Sequence, residues 1–332
     1  MSLANARLRQ PAEWAPHEWV WIGFPSHGDL WLEDLEPARE EVIAFARAVH
    51  AEGKGEQVRL VAADAEAADA ARAMAGDGII VDQVPFGDIW LRDTAPIVVA
   101  GDGIREGRDF GFNGWGGKYV LDHDDTVGMR LAERVTMPAQ RCDWILEGGA
   151  IDVDGEGLAV TTEQCLLNPN RNPGLNRDEI EARLAEELGI DRILWLGEGL
   201  ANDHTDGHVD NIARFVAPGT IAIAEPAEDD PNAAIWLDAA ERARTFGLKV
   251  VAVPSPGAVE REGKIIPASY MNFYIGNATV VVPLYGAPND DLAVERIGAL
   301  FPGRKAVGFR ADHILTGGGS FHCISQQVPR ID

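Results

Sequence analysis

A cysteine follows three consecutive glycines near the end of the chain, in the run Gly317-Gly318-Gly319-Ser320-Phe321-His322-Cys323. Glycine lets a backbone approach a ligand closely and adopt positive φ, so this thiol can lie at the floor of a pocket as a nucleophile. A lone cysteine is more often an inert buried residue. His322 is adjacent, but neighbouring side chains of an extended segment point to opposite faces. We therefore expect the base to come from elsewhere and His322 to be structural.

Three other stretches contain acids or histidines that a plain surface loop does not need. Acids among apolar residues are costly to bury unless they are paired, so they serve a cation or form salt bridges, with Arg92 as one partner. If a strand follows Gly207, His208 and Asp210 project to one face. The stretches are Gly87 to Pro96 with Asp88 and Asp93, Glu147 after Trp144-Ile145-Leu146, and Asn202 to Phe215 with His204, His208 and Asp210.

Together these residues fit the chemistry of a guanidinium group. Its planar fork pairs bidentately with carboxylates, and Asp93 and Asp210 can clamp it from two sides. Cys323 as thiolate can then attack the central carbon, and the positive ligand favours the thiolate. His208 would protonate the departing nitrogen and later take a proton from water, while Glu147 orients His208. Ammonia and a urea-like product would result.

A fourth stretch, Phe112 to Tyr119, has Trp115 among several glycines. One interpretation is a mobile flap that brings the indole over a pocket, where it makes a cation–π contact with a positive ligand. A packed loop is the other interpretation, and composition does not distinguish the two.

Metal-binding patterns are weak in this sequence. His204 and His208 have the i, i+4 spacing of a helical metal pair, but Gly207 interrupts it and no third ligand is evident. The run Asp152 to Gly157 resembles the start of a calcium loop but lacks the rest, and Asp-Gly is a common hairpin signal. We expect a hairpin turn at this run, and neither a metal nor a cofactor in the protein.

Composition limits the classes of partner. The chain has 332 residues, with 53 acidic against 29 basic side chains and a net charge of -24. Such a charge repels nucleic acid and anionic membranes and attracts cations, or it serves solubility alone. Cys142, Cys165 and Cys323 lie far apart, which suggests neither a disulfide framework nor a zinc ribbon. Since no apolar run has signal-peptide or membrane-spanning length, we expect a cytoplasmic protein.

Short apolar strands alternate with single helices along the chain. The helices are predicted to begin at intervals of about 55 residues, after Asp64 and near Asp122, Asn176, Pro231 and Asn289. Asn176 and Glu179 have capping-box spacing, and Gly189 ends that helix. Strands linked through helices at a fixed period predict five similar units in one closed α/β domain over residues 1–332. In a radially repeated fold the loops at one end converge, so distant residues can share a site.

The stretches together resemble the agmatine deiminase family, also known as bacterial-type peptidyl-arginine deiminases, within the guanidine-modifying superfamily. The resemblance spans nearly the whole chain, and several long motifs in the same order are a specific signal. The matching stretches are Pro11 to Glu18, Trp90 to Pro96, Phe112 to Tyr119, Glu147 to Gly157, Thr162 to Pro173, Thr205 to Phe215, Pro267 to Ile275 and Gly317 to Pro329.

The resemblance implies a five-bladed, pseudo-symmetric α/β propeller of the pentein type, and metal-free hydrolysis of agmatine to N-carbamoylputrescine and ammonia, a step of putrescine biosynthesis. It also implies that the protein is a homo-oligomer and that it binds a small cationic guanidino substrate. Matched by position, the family nucleophile falls on Cys323, the histidine on His208, the orienting glutamate on Glu147, and the guanidinium-binding acids on Asp93 and Asp210. Our candidates for further substrate contacts are Asp88, Trp90 and Trp115, of which Asp88 and Trp115 suit the distal amine.

Substrate identity stays open at this level, because Phe24, Ala95, Ala278 and Ser320 differ from the residues usual in the family. Agmatine is favoured, with arginine, peptidyl-arginine or another small guanidino compound as alternatives. An amidinotransferase would form the same thiol intermediate and pass it to an amine such as glycine or ornithine. A non-catalytic guanidinium or polyamine binder would use the acidic pocket without the thiol.

Overall fold

The structure, a computed structural model, describes residues 8–228, 230–261 and 263–331. The chain is a mixed α/β protein with several separate sheets. The strands are β1 His17–Gly23, β2 Gln57–Ala62, β3 Ile80–Gln83, β4 Ile97–Gly101, β5 Ile104–Gly111, β6 Ala139–Ile145, β7 Ile151–Val153, β8 Leu158–Thr162, β9 Arg192–Leu196, β10 Ala213–Ala217, β11 Thr220–Glu225, β12 Lys249–Pro254, β13 Glu260–Arg261, β14 Lys264–Ile265, β15 Tyr274–Ile275, β16 Thr279–Leu284, β17 Lys305–Arg310 and β18 Ser325–Pro329.

Six longer helices and five single turns of helix connect these strands in the described ranges. They are α1 Gly28–Trp31, α2 Leu35–His50, α3 Ala65–Ala75, α4 Leu91–Thr94, α5 Gly114–Gly117, α6 Val127–Arg134, α7 Glu163–Leu166, α8 Arg177–Leu188, α9 Ala233–Phe246, α10 Asp290–Gly298 and α11 Asp312–Thr316. Short 3-10 segments lie at Leu32–Asp34, Ala51–Gly53, Gly148–Ala150, Val209–Asn211 and Tyr270–Asn272. None of the described helices combines the length and apolarity that a membrane crossing requires.

One connection recurs in five of the sheets of the described chain. An antiparallel pair of strands is followed by a helix, and the next strand pairs in parallel with the second of that pair. Parallel neighbours require such a crossover, usually a helix. The units are β4-β5-α6-β6, β7-β8-α8-β9, β10-β11-α9-β12, β15-β16-α10-β17 and β18-β1-α2-β2, the last joining the two ends of the chain.

Local sequence signals predict some helix starts correctly and one wrongly. Asp64 caps α3 by accepting the Ala67 N–H, and Asn176 with Glu179 forms the predicted capping box of α8. The predicted start near Asp122 is wrong, since α6 begins at Val127. Asp124 and Asp125 lie in between as turn residues, and their carboxylates accept backbone N–H groups of other loops. These tertiary bonds outweigh the helical pattern of the segment.

The helix after Asp64 is also not equivalent to the other four predicted helices. It is α3, which links β2 to the additional strand β3, whereas α2 is the crossover helix of that unit. The predicted hairpin turn at Asp152 to Gly157 is confirmed between β7 and β8, with positive φ at Gly155 and Gly157.

The apolar core holds the segment that carries Cys323. Phe321, two residues before the cysteine, is fully buried and stacks on Phe45 of α2 with the ring centroids 4.8 Å apart. Phe45 also packs edge-on against Tyr274 of β15. Burial of one such ring contributes about 1.5–3 kcal/mol, so the backbone of this segment is fixed by packing from one side.

Candidate active site

Each of the five units contributes to the site from the same position in the unit. The contributing residues lie just before the first strand of the antiparallel pair, where the chain enters the sheet. Asp93 precedes β4, Glu147 precedes β7, His208 and Asp210 precede β10, Asn272 precedes β15, and Cys323 precedes β18. This shared position explains how residues far apart in sequence come together.

The i, i+2 prediction placed His208 and Asp210 on a strand. In the structure neither residue lies on one. His208 is the N-cap of the 3-10 segment Val209–Asn211, and the strand begins only at Ala213. The two side chains nevertheless share one site. A Cβ added to Gly149 would lie 2.6 Å from His208 Nδ1 and 3.2 Å from Asp210 Oδ2, so only glycine fits between them.

Asp93 is buried and held by two hydrogen bonds. Its Oδ1 accepts the Gly149 N–H at 3.0 Å, and its Oδ2 accepts the Trp115 indole N–H at 3.0 Å. Burial raises the pKa of Asp93; His208 opposes this rise, and the nearby carboxylates Asp210 and Glu147 add to it. Each oxygen keeps a free lone pair, and a bound cation would relieve the cost of the buried charge.

Asp210 is fully buried and has one free oxygen. Its Oδ2 accepts a hydrogen bond from His322 Nδ1 at 2.7 Å, while its Oδ1 has no hydrogen-bond partner. Burial alone would raise the pKa of Asp210, but the hydrogen bond and charge of His322 outweigh it and lower the pKa. Asp210 is therefore held ionised, with an acceptor available for a ligand.

His322 belongs to a buried charge network behind the site. Its Nε2 lies 2.7 Å from Glu13 Oε2, and the same oxygen accepts from Arg214 Nη2 at 2.8 Å. Arg214 in turn donates to Asp152 at 2.9 Å. Both ring nitrogens of His322 thus face carboxylates, in keeping with the structural role expected from the sequence.

His208 lies between carboxylates but forms no hydrogen bond through its ring in the described chain. Its Nδ1 is 3.7 Å from Asp93 Oδ1, and both ring nitrogens are buried without a hydrogen-bond partner. Burial would lower the pKa of His208, but Asp93, Cys165 and Glu147 outweigh this and raise the pKa well above its usual value. The imidazolium form is therefore favoured at neutral pH.

Glu147 does not make the hydrogen bond to His208 expected from an orienting glutamate. Its Oε1 accepts from Arg171 Nε at 2.7 Å, and its Oε2 is buried without a partner. Ligand atoms of Glu147, Cys165 and His208 all lie within 4.8 Å of one another. Glu147 therefore acts on His208 through its charge in this state, because Arg171 already fixes the carboxylate.

The thiol of Cys323 is buried beside Asn272 and Asp210. Asn272 Nδ2 is 3.1 Å from Sγ, and Asp210 Oδ2 is 3.6 Å from it. Asn272 Oδ1 also accepts the backbone N–H of Cys323 at 3.2 Å. Burial raises the pKa of the thiol well above its usual value, and the negative charges of Asp210 and Asp93 add to the rise. A bound cation would oppose this effect and favour the thiolate.

A cavity of about 210 Å³ leads to Cys323. Three carboxylates and several aromatic rings line it, whereas no arginine or lysine is among the described residues of its lining. The lining is Leu30, Trp31, Asp34, Asp88, Trp90, Asp93, Trp115, Tyr119, Leu121, His204, Thr205, Thr316, Gly317, Gly318, Gly319 and Cys323. Such a cavity suits an elongated cation with an apolar middle.

Asp88 fixes two walls of this cavity. Its carboxylate accepts the indole N–H of Trp31 at 3.0 Å, that of Trp90 at 2.6 Å, and the Ile89 N–H at 2.8 Å. Burial raises the pKa of Asp88. The other outer carboxylate, Asp34, instead pairs with Arg261 at 2.9 Å and is neutralised.

Gly317 and Gly319, before Cys323, have to be glycines because the Trp90 ring leaves no space for a side chain at either position. A Cβ at Gly317 or at Gly319 would come within 2.5 Å of the Trp90 ring, and at Gly319 also within 2.9 Å of Cys323 Cβ. Trp115 is buried in the opposite wall and donates to Asp93, so its loop is packed at this point.

We predict that Gly319→Ala destabilises the protein by about 1–3 kcal/mol, the usual range for overpacking. The added methyl group collides with Trp90 and with the Cys323 side chain, and neither can move freely. Gly174→Ala is the matched control, because a Cβ there meets nothing within 4 Å. Urea unfolding of both variants measures the effect. Equal stability of the two would contradict the close packing of the glycine run against Trp90.

Sequence reasoning missed Asn272, Cys165 and Arg171. Asn272 lies in the stretch Pro267 to Ile275, which resembles the family but offered no acid, base or nucleophile. The available signal was the repeat, since the fourth unit should also contribute a residue just before its first strand. Cys165 and Arg171 lie in and after α7, and only the tertiary fold brings them beside Glu147.

The family model that describes Porphyromonas-type peptidyl-arginine deiminases matches residues 9–329 of the chain. Among curated proteins, the agmatine deiminase of Stutzerimonas stutzeri is 40% identical over 353 residues, which cover 96% of this chain and 95% of that protein.

Solved structures give the same result. The agmatine deiminase of Enterococcus faecalis, described as catalysing its reaction, superposes with a TM-score of 0.91 at 34% identity, covering 98% of this chain and 96% of that one. A cysteine-to-serine variant of C. jejuni agmatine deiminase with substrate bound gives a TM-score of 0.92 at 29% identity, covering 99% and 98% of the two chains.

Proposed function

Since the chain belongs to the Porphyromonas-type peptidyl-arginine deiminase family, we propose that it is a hydrolase that converts agmatine to N-carbamoylputrescine and ammonia. The observation that carries this proposal is a set of buried polar atoms without hydrogen-bond partners on neighbouring residues beside Gly149 and His208. They are Glu147 Oε2, both ring nitrogens of His208, and Asp210 Oδ1. A guanidinium group supplies the N–H donors that the carboxylates lack.

Substrate binding begins with the two aspartates. Asp93 and Asp210 accept the N–H groups of the guanidinium, and their buried charges are compensated by the bound cation. The same positive charge lowers the pKa of the Cys323 thiol, which is raised in the free protein. The thiolate therefore forms when substrate is present, and Asn272 Nδ2, at 3.1 Å from Sγ, stabilises it.

The first chemical step forms a bond between Cys323 Sγ and the central guanidinium carbon, after the thiol has lost its proton to solvent as the substrate binds. Imidazolium His208 gives a proton to one terminal nitrogen, the C–N bond breaks, and ammonia leaves. The enzyme then carries a cationic thiouronium, and His208 is neutral. Asp93 and Glu147, whose charges raise the pKa of His208, hold it protonated before this step.

The second step consumes one water molecule. Neutral His208 takes one proton from water as the oxygen attacks the thiouronium carbon, and the C–S bond breaks to release N-carbamoylputrescine. The second proton of the water passes to the Cys323 sulfur, which leaves as a thiol, and His208 is again in the imidazolium form. One histidine thus serves as acid and then as base.

The distal amine of agmatine binds in the outer part of the cavity. The four-carbon chain lies between Trp31, Trp90 and Trp115, and the ammonium is attracted by Asp88. Asp88 suits this role because no arginine or lysine forms an ion pair with it in the described chain, whereas Asp34 is paired with Arg261. If arginine were the substrate, its α-carboxylate would face other carboxylates, and no arginine or lysine side chain among the described lining residues could pair with it.

We predict that agmatine is preferred to arginine by a factor on the order of 100 in kcat/KM, because a carboxylate in this cavity is left unpaired. Ammonia release measures both rates. 4-Guanidinobutyrate, which replaces the terminal aminomethyl group of agmatine by a carboxylate, should be as poor as arginine, while butylguanidine, with neither charged end group, should be intermediate. Equal or reversed rates for agmatine and arginine would contradict the agmatine assignment.

The five repeated units support a closed, five-bladed propeller, and we propose that architecture for a single catalytic domain over residues 1–332. Contacts between the turns that precede successive units, such as α4 with Gly148–Ala150 and Val209–Asn211 with Tyr270–Asn272, support it. We further propose a homo-oligomer in the cytoplasm, supported by the family resemblance and by three cysteines that are buried and free.

A further inference from the structure

A second thiol lies beside the proposed acid–base histidine. Cys165, on α7, is fully buried, and the ligand atoms of Cys165, His208 and Glu147 lie within 4.8 Å of one another. Cys165 has no part in the hydrolysis proposed above, which uses Cys323. The cluster joins this thiol to the imidazole and the carboxylate on which the proposed reaction depends.

The polar atoms of this cluster are not satisfied within the protein. Glu147 Oε2 and both ring nitrogens of His208 are fully buried and have no hydrogen-bond partner. Buried polar groups are usually paired, so three ligand atoms without partners beside a thiol are available to a species that binds to all three side chains.

Thiolate, imidazole and carboxylate together are the ligands that zinc prefers, at metal–ligand distances of about 2.0–2.3 Å in a tetrahedron. Two such ligands on one ion lie about 3.5 Å apart. Ligand atoms that already lie within 4.8 Å of one another reach this separation by rotations of Cys165 and His208, while Arg171 holds Glu147 in place. The fourth position can be taken by water, as in zinc sites that are not closed by protein ligands.

We propose that Cys165, His208 and Glu147 form a binding site for Zn²⁺, and that the bound ion inhibits the enzyme. This inhibitory role rests on the proposed function, since Zn²⁺ occupies the histidine that must move protons. On binding, the Cys165 thiol and the imidazolium of His208 each release a proton to solvent, so the affinity for Zn²⁺ falls as the pH falls. Asp93, 3.7 Å from His208, adds negative charge that favours the cation.

Zinc binding is best measured in the Cys323→Ala protein, which keeps the proposed ligands and lacks the proposed nucleophile. Competition with a chromophoric chelator should give one Zn²⁺ per chain, and Cd²⁺ should produce a thiolate-to-metal absorption band in the ultraviolet. Adding Cys165→Ser should weaken Zn²⁺ binding by a factor on the order of 100 and remove the Cd²⁺ band. Cys142→Ser is the matched control, because Cys142 is also buried and free and is not in the cluster.

The outcomes separate this site from others. Binding that persists in Cys165→Ser would overturn the proposal, and so would binding to the unmodified protein that disappears in Cys323→Ala, which would assign the ion to the nucleophile. If Cys165→Ser has a lower melting temperature, Glu147→Gln in the same background provides a second test, with the same loss expected. In the unmodified enzyme, ammonia release should fall with Zn²⁺ and return on adding EDTA. If the unmodified protein binds Zn²⁺ through Cys165 but releases no ammonia from agmatine without Zn²⁺, the proposed function is refuted and the proposed metal site is not.

Discussion

Cys323→Ala is expected to lower the rate of ammonia release from agmatine by about 10,000-fold or more, because no other group can form the covalent intermediate. The variant should still bind agmatine, since Asp93 and Asp210 are unchanged. Steady-state kinetics and calorimetry measure the two quantities.

Cys142→Ala is the control for the loss of a buried thiol, and it should keep nearly full activity. Cys142 is buried at β6, where burial raises its pKa to about 12, and it does not line the cavity. A Cys323→Ala protein that retains turnover would show that the chemistry does not pass through this thiol. A non-catalytic guanidinium binder predicts equal behaviour of the two variants.

His208→Gln is expected to lower kcat by a factor of about 100 to 10,000, the range of general acid–base catalysis. The imidazolium form is needed to protonate the leaving nitrogen. Because the pKa of His208 is raised well above its usual value, the proton is present at neutral pH and is lost only as the pH rises through the raised pKa. The activity of the unmodified enzyme should therefore fall on the alkaline side, and the fall should begin above the usual histidine range.

The residual activity of His208→Gln should not show this loss of activity at alkaline pH, because the loss reflects deprotonation of His208. His204→Gln is the matched control, because His204 also lines the cavity but is exposed and bonded to the Tyr119 hydroxyl at 3.2 Å. Its pH profile should keep the same shape as that of the unmodified enzyme. An unchanged alkaline limb in His208→Gln would assign that limb to another group.

Much of the fold was accessible from local sequence. Asp64 and Asn176 cap helices as predicted, and Gly189 ends α8 in the left-handed conformation. The start of α6 was not accessible, because Asp124 and Asp125 bind distant backbone groups that the local pattern does not contain. The period of the units was visible, but the unit that joins the chain ends was not, since its paired strands β18 and β1 lie at opposite ends of the sequence.

The residue types of the site could also be predicted from the sequence, whereas the contacts between them could not. Cys323, Asp93 and Asp210 were named from spacing, chemistry and family resemblance, and they lie together in the structure. That Glu147 bonds to Arg171 and not to His208 follows from the position of α7. The sequence gives no sign that His322, beside the nucleophile, supports Asp210 from behind, since this depends on how two units meet.

The central claim is that Cys323 carries the guanidino carbon during turnover. Rapid acid quenching of the unmodified enzyme with excess agmatine, followed by peptide mass spectrometry, tests it directly. We predict an adduct on the peptide that contains Cys323, with the mass of agmatine less ammonia, and its competitive suppression by arginine only at much higher concentration. Continued ammonia release without any adduct on Cys323, or an adduct on Cys142 or Cys165 instead, would contradict the account.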